Sequence, residues 1–106
     1  ETCKINWENS LKNIYNLIRG LNPYPAAWTT LINNEEIIKV KIFDVKPEYE
    51  SHNLKSGSII TSKNEIKVVV SNGFLVIESL QLAGKKKMDS KNLLNGYTFQ
   101  ANSKLI

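Results

Sequence analysis

The sequence contains few of the residues from which catalytic and metal sites are most often built. It has one cysteine and one histidine among its 106 residues. Neither an internal disulfide nor a cysteine–histidine zinc site is therefore available. The single histidine, His52, has no second histidine or cysteine with which to complete a nucleophilic triad. We predict no catalytic centre in this chain and a surface position for His52.

Long apolar runs and a signal peptide are also missing. No stretch approaches the roughly 20 apolar residues that cross a bilayer, and the N-terminus lacks the pattern of a secretory signal. We therefore expect a cytoplasmic protein without membrane contact. Because the chain begins with Glu1 and not with Met, we expect a piece of a longer protein. Its apolar fraction of 42% suits a single folded domain over residues 1–106.

Positive charge is concentrated in the second half of the chain. The formal net charge is +4. Residues 1–50 contain six basic and seven acidic residues, whereas residues 51–106 contain eight lysines and three acidic residues. This imbalance favours a polyanionic partner. The alternative, that lysine only keeps a small protein soluble, explains the charge equally well.

One amphipathic helix is predicted near the N-terminus, after a linker or docking strand at residues 1–5. Apolar side chains recur at helical spacing within residues 11–21. Asn9 or Ser10 can cap the first amides of this helix. Gly20 can adopt the left-handed conformation that ends a helix, and two prolines that follow cannot continue it.

After the prolines the apolar residues alternate with a period of two, which predicts short strands. The Asn72-Gly73 pair is the strongest hairpin signal, because both residues tolerate positive φ. Short strands leave exposed edges unless their sheet closes on itself. The predicted fold is therefore mainly β, of the α+β type, with an N-terminal helix packed on a small OB-like antiparallel barrel of five to six strands. The predicted elements are strands at 28–32, 36–45, 58–61, 66–70 and 74–82, a loop at 46–55, a helix from Asp89 to residue 94, and a last strand at 97–99.

Lysines supply the candidate binding residues. Three of them form a run at 85–87 between a strand and a capped helix, where free helix amides would add to the positive field. Lys39 and Lys41 share one face of the second strand, and Lys67 could extend that stripe. Ordinary solvated lysines are the alternative interpretation. The predicted contacts to a phosphate backbone are Lys39, Lys41, Lys67, Lys85, Lys86, Lys87 and Lys91.

Aromatic residues do not form an evident stacking platform in this sequence. We expect Tyr15 and Trp28 to pack the helix against the barrel. The outward positions of the strands hold mostly lysine, serine and asparagine. If the partner is RNA, this composition predicts recognition of a folded shape through its backbone, with little reading of bases.

Two sequence runs are similar to signatures of a known family. Asn-Pro-Tyr-Pro-Ala-Ala-Trp-Thr at residues 22–29 and Leu-Gln-Leu-Ala-Gly-Lys-Lys-Lys-Met at residues 80–88 resemble the C-terminal domain of methionyl-tRNA formyltransferases. They occur in the family's order, and the resemblance spans nearly the whole chain. Many relatives carry glycine where this chain has Ala26, so alanine here implies a backbone without positive φ.

The resemblance implies an OB-like barrel that holds initiator methionyl-tRNA beside an N-terminal catalytic domain of the same chain. That domain would transfer a formyl group from 10-formyltetrahydrofolate to the methionine amino group. The family's catalytic residues belong to it, and His52 does not match them. The present chain alone would then bind no cofactor and be inactive. The alternative is the related domain of sugar-nucleotide formyltransferases, with a structural or protein-interaction role.

Overall fold

A computed structural model describes residues 3–106 of the chain. Helix α1 (Leu11–Leu21) comes first and is followed by strands and one further short helix. Neither helix in this part of the chain has the length and apolar character needed to cross a bilayer. The later elements are β1 (Ala27–Asn33), β2 (Glu36–Tyr49), β3 (Ile59–Thr61), β4 (Ile66–Val70), β5 (Gly73–Leu82), β6 (Met88–Asp89), α2 (Ser90–Gly96) and β7 (Lys104–Leu105).

Helix α1 begins where the sequence predicts, because Ser10 caps it. The Ser10 side chain accepts a hydrogen bond from the amide of Asn13 at 3.1 Å, which satisfies one of the free amides at the helix start. The face that turns to the core is formed by Leu11, Ile14 and Ile18. The helical spacing of these apolar residues therefore gives the buried face that was predicted.

The end of α1 and the loop after it differ from the prediction at two residues. Gly20 lies inside the helix, which ends at Leu21 before the extended backbone of Asn22. An extended conformation is favoured there because Asn22 precedes a proline. Ala26 has a φ of 76°, so the prediction of a backbone without positive φ at this residue is wrong. Its amide donates to the Leu21 carbonyl at 2.9 Å, which holds Ala26 in the left-handed region against the usual steric cost.

Within the described residues, seven strands form one antiparallel sheet in the order β3-β4-β5-β2-β1-β7, with β6 paired to β5 beside this path. The two outer edges of the sheet meet. Ser58, just before β3, bridges to Lys104 of β7, and the amide of Leu105 donates to the Gly57 carbonyl at 2.8 Å. The sheet encloses a core of apolar side chains, against which α1 packs. The predicted α+β architecture, a helix on an OB-like antiparallel barrel, is confirmed.

Strand β2 is longer than predicted and takes in part of the predicted loop at 46–55. It reaches Tyr49 and includes Pro47. Beyond Ile42, β2 pairs with β5 but no longer with β1. A proline is tolerated here because the strand has a partner on one side only, so the missing amide donor breaks no central ladder.

The hairpin between β4 and β5 forms at the predicted place, but for a different reason. Val70 pairs with Gly73 across the turn, and the turn has no residue with positive φ. Glycine is required at 73 because a Cβ atom there would lie 2.0 Å from the carbonyl oxygen of Glu48. Close approach of two backbones, and not turn geometry, explains this glycine.

In the C-terminal part, the prediction of a helix after Asp89 is confirmed and the prediction of a last strand at 97–99 is wrong. Asp89 caps α2 by accepting a hydrogen bond from the amide of Asn92 at 2.7 Å. The predicted strand at 97–99 does not form. Instead, the side chain of Asn33 donates to the hydroxyl of Tyr97 at 2.9 Å, and the last strand is β7.

Candidate nucleic-acid interface

A row of side chains crosses the outer face of the barrel. Trp28 of β1 lies opposite Lys41 of β2, and Lys41 lies opposite Gln81 of β5. On the other side of β1, Lys4 forms a parallel bridge with Trp28. Both sequence neighbours of Trp28 in β1 are buried, so the alternation of a strand turns its ring outwards. Lys4, Trp28, Lys41 and Gln81 therefore share one surface.

Aromatic rings hold several lysine side chains on this surface. The ammonium nitrogen of Lys39 lies 4.5 Å from the centroid of the Trp28 ring, and that of Lys4 lies 5.4 Å from it. The ammonium nitrogen of Lys87 lies 4.4 Å from the centroid of Phe43. An aromatic face attracts a cation but carries no net charge. These contacts therefore position the ammonium groups without neutralising them.

The turn after β5 brings the lysine triplet, Lys85 to Lys87, to the same surface. The side-chain amide of Gln81 donates to the carbonyl of Lys85 at 2.9 Å. The amide of Ala83 donates to the carbonyl of Lys39 at 2.9 Å, so the chain still runs beside β2 as the turn begins. We call the resulting surface of exposed lysines the basic face. Its members are Lys4, Lys39, Lys41, Lys85, Lys86 and Lys87.

Carboxylates do not neutralise the basic face. Among residues 3–106, the ion pairs within 4.0 Å all involve Lys67, which lies 2.8 Å from Glu48 and 3.8 Å from Glu65. A shallow depression of about 200 Å³ lies between the members from β2 and the end of β5. Six exposed positive charges without a nearby counter-charge form a surface suited to a polyanion.

Lys67 does not extend the stripe that Lys39 and Lys41 begin. It lies on β4 opposite Val76, away from the row that contains Lys41. The hydrogen bond that it donates to Glu48 raises the pKa of Lys67 above its usual 10.5, although desolvation acts in the opposite direction. Its charge is therefore already compensated within the protein.

The prediction that free helix amides add to the positive field at the lysine triplet is wrong. Strand β6 separates the triplet from α2, and the carboxylate of Asp89 occupies the helix start. Free helix amides therefore do not add to the field at the triplet. Lys91 is exposed as the second residue of α2 and has no carboxylate within ion-pair distance among the described residues.

His52 is half-buried, and so less exposed than its predicted surface position implies. Its Nδ1 accepts a hydrogen bond from the amide of Leu54 at 3.0 Å. The proton of the neutral ring is therefore on Nε2, which lies 2.7 Å from the Val70 carbonyl and 3.1 Å from that of Gly73. These contacts fasten the segment after β2 to the β4–β5 hairpin, which is a structural role.

Sequence reasoning missed one lysine of the basic face, Lys4, and three side chains that support its lysines: Trp28, Phe43 and Gln81. The prediction that Trp28 packs the helix against the barrel is wrong, whereas Tyr15 does pack against the core. A signal for Trp28 was available. A two-residue hairpin after residue 33 fixes the register that places Trp28 opposite Lys41. No comparable signal marks Lys4, which lies in the segment predicted as a linker or docking strand.

The depression at the β1–β2 turn does not fit the folate that the resemblance assigns to the catalytic domain. It has a volume of about 680 Å³ and is lined by amide side chains together with Glu35 and Glu36. It offers no aromatic wall for a flat pterin ring, and its carboxylates repel an anionic folate tail. We therefore assign no chemical step to a cofactor held by this chain.

The two runs that carry the family resemblance meet at the basic face. Residues 22–29 supply Trp28, and residues 80–88 supply Gln81 and the lysine triplet. They are about 50 residues apart in the sequence but become neighbours because β1 and β5 both pair with β2. The most distinctive parts of the sequence therefore form one surface.

Comparison with known proteins gives a family and a set of relatives. A family model described as formyl transferase, C-terminal domain, matches residues 1–98. The methionyl-tRNA formyltransferase of Flavobacterium johnsoniae is 48% identical over 105 residues, which cover 99% of this chain and 33% of the relative. The enzymes of the same name from Flavobacterium psychrophilum and Bacteroides thetaiotaomicron are 46% and 44% identical, over 93% and 99% of this chain and 31% and 33% of the relatives.

The chain spans about a third of the length of the curated relatives it matches. The matches run along almost all of the chain, and the barrel agrees with the fold that the resemblance implied. The chain therefore belongs to the family of formyl transferase C-terminal domains.

Proposed function

We propose that this chain positions initiator methionyl-tRNA by binding the tRNA backbone with its basic face. The observation that carries the proposal is the set of six exposed lysines on one surface with no carboxylate in ion-pair distance among the described residues. Lysines that neutralise phosphates release condensed counterions, which is the main source of sequence-independent affinity for nucleic acids. The names of the relatives, methionyl-tRNA formyltransferases, point to methionyl-tRNA as the RNA, and the resemblance implies the initiator species.

The chemistry of the surface favours recognition of the backbone over recognition of bases. A lysine ammonium is a compact point charge without the planar fork that arginine uses to read a base edge. The rings of Trp28 and Phe43 have lysine ammonium groups over them, whereas stacking platforms present free aromatic faces. Phosphate contacts fix the position and orientation of an RNA without reading its sequence.

The proposed place of this chain in the longer protein follows from that role. An N-terminal domain would transfer the formyl group from 10-formyltetrahydrofolate to the amino group of methionine, in the cytoplasm. The basic face would hold the tRNA so that its aminoacyl end reaches the reacting groups. Binding energy from a remote surface can lower the barrier of a reaction by orienting the reactants.

Titration of an initiator tRNA transcript at several salt concentrations tests the proposal. If six lysines each neutralise one phosphate, log K should fall with log salt with a slope of about −4 to −5. Unlabelled tRNA should compete with the labelled transcript, and a neutral polymer should not. No binding at about 50 mM salt would instead favour a structural or protein-interaction domain, as in the sugar-nucleotide formyltransferases.

A further inference from the structure

We propose that Trp28 is a positioning residue of the basic face, and that Lys4, whose ammonium group it holds together with that of Lys39, is a further phosphate-binding residue. This inference rests on the proposed function and adds two residues to it. Trp28 contacts both ammonium groups at distances typical of cation–π pairs, 5.4 Å to Lys4 and 4.5 Å to Lys39. Both lysines are exposed, so a ligand can reach them.

The backbone of Trp28 is fixed on both sides, which makes its ring a firm support. Its amide donates to the carbonyl of Cys3 at 3.0 Å, and its carbonyl accepts from the amide of Ile5 at 2.9 Å. On the opposite side, Trp28 pairs with Lys41 in the β1–β2 ladder. The Cβ atom of Trp28 is therefore held at a fixed place between two neighbouring segments, and its ring projects from there toward the lysines that it contacts.

A fixed ring helps binding because lysine is flexible. A lysine side chain loses much of its rotamer freedom when it binds a phosphate, and that loss weakens the interaction. Contact with a ring removes part of this freedom before the ligand arrives. The ammonium group carries three N–H donors, so it can touch the ring and still donate to a phosphate oxygen.

Lys67 provides a comparison within the same chain, because its ammonium group is held by a carboxylate. It also lies near a ring, 5.6 Å from the centroid of Phe74, but its ammonium group pairs with Glu48 at 2.8 Å. A carboxylate restrains a lysine and cancels its charge, whereas a tryptophan restrains it and leaves the charge available. The basic face uses the second arrangement at Lys4, Lys39 and Lys87.

A double-mutant cycle with initiator tRNA as the probe tests the inference. We expect Trp28→Leu to weaken binding about three- to tenfold, with Trp28→Phe between it and the unchanged chain. In a chain that already carries Lys4→Met and Lys39→Met, Trp28→Leu should have no further effect. In a chain that carries Lys86→Met, whose lysine contacts no ring among the described residues, the full effect of Trp28→Leu should remain.

Two measurements separate positioning from folding. Thermal unfolding of each variant shows whether the barrel persists, and Trp28→Phe keeps an aromatic ring in case the leucine variant does not fold. NMR provides a readout without RNA, because the Cε protons of Lys4 and Lys39 should carry ring-current shifts that Trp28→Leu abolishes. Absence of these shifts in the unchanged chain would overturn the inference.

The outcomes also separate this inference from the proposed function. If the unchanged chain does not bind tRNA, the proposed function and the inference about Trp28 are both wrong. If it binds with a steep salt dependence and Trp28→Leu binds equally well or more tightly, only the positioning role of Trp28 falls. An equal weakening by Trp28→Leu in all backgrounds would assign this residue a purely structural role. The inference is supported if Trp28→Leu weakens binding in the unchanged chain and in the Lys86→Met chain, but not in the chain that lacks Lys4 and Lys39.

Discussion

Gln81 and Lys85 are joined by a hydrogen bond that links the two parts of the basic face. The side-chain amide of Gln81 donates to the backbone carbonyl of Lys85 at 2.9 Å. Gln81 stands in the row that contains Lys41 and Trp28, whereas Lys85 opens the lysine triplet. Together with the bond from the Ala83 amide to the Lys39 carbonyl, this bond holds the turn of the triplet beside the lysines of β2.

Substitution of Gln81 should weaken RNA binding more than it destabilises the fold. We expect Gln81→Leu to lower the affinity for initiator tRNA about two- to fivefold, since one exposed hydrogen bond contributes about 0.5–1.5 kcal/mol. Gln81→Glu should weaken binding further, because it places a carboxylate among lysines and cannot donate to the carbonyl. Unfolding curves and tRNA titrations of both variants check this. Equal affinities for all three chains would show that the turn needs no such restraint.

Removal of the lysine triplet should reduce the salt dependence of binding. With glutamine at all three positions, the slope of log K against log salt should become shallower by about 2 to 3, since each lost phosphate contact removes 0.7–0.9. A matched control removes the same amount of positive charge outside the basic face, and its slope should stay within about one unit of the slope of the unchanged chain. The control substitutions are Lys55→Gln, Lys63→Gln and Lys67→Gln. Equal changes in the two variants would mean that total charge, and not the basic face, governs binding.

Alanine at two glycines should affect stability in opposite directions. Gly73→Ala should lower the free energy of unfolding by about 3 kcal/mol or more, because its Cβ would lie 2.0 Å from the Glu48 carbonyl oxygen, which belongs to rigid backbone. Gly20→Ala should raise it by about 0.5–1 kcal/mol, since no atom beyond the helix's own neighbouring backbone lies within 4 Å of the added Cβ. Urea unfolding of both variants provides the comparison. A tolerated Gly73→Ala would contradict the close approach of β2 and β5.

Stability should fall with rising pH above about 10 because of Tyr97. Burial raises the pKa of Tyr97 above its usual 10.0; the bond donated by Asn33 lowers it, and the bond that Tyr97 donates to Glu36 raises it. In this range the folded chain keeps a proton that the unfolded chain has lost, so the free energy of unfolding decreases as pH rises. Tyr97→Phe should show a smaller decrease. Urea unfolding between about pH 9 and 11 measures it, and identical profiles would assign the effect to other groups, such as Lys67.

Local sequence signals were sufficient for much of the fold. Helix α1, its Ser10 cap and the β1–β2 hairpin follow from spacing and turn residues within a few positions of one another. The errors occur where a distant partner decides the conformation. Pro47 is accepted in a strand only because β1 has ended opposite Ile42. The final strand is β7 and not residues 97–99, because β7 is the segment that meets the edge of β1.

The candidate interface was predictable only in part, for the same physical reason. Alternation in β2 correctly placed Lys39 and Lys41 on an outer face. Their neighbours depend on pairings between segments far apart in the sequence, such as the bridge between Lys4 and Trp28. Lys67 was wrongly assigned to the stripe of Lys39 and Lys41. The pattern of charges along the sequence does not show that the Lys67 ammonium nitrogen lies 2.8 Å from a carboxylate oxygen of Glu48.

The last three residues complete the cylinder by bonding to both of its open sides. Leu105 donates to Gly57 at 2.8 Å, and Ile106 exchanges backbone hydrogen bonds with Thr30 at 2.9 and 3.2 Å. Trimming residues 104–106 would uncover two strand edges with vacant amides and carbonyls, and such edges join readily to those of other molecules. A shortened chain should therefore self-associate more readily than the chain that ends at Ile106, whereas a tag fused after Ile106 leaves this seam intact.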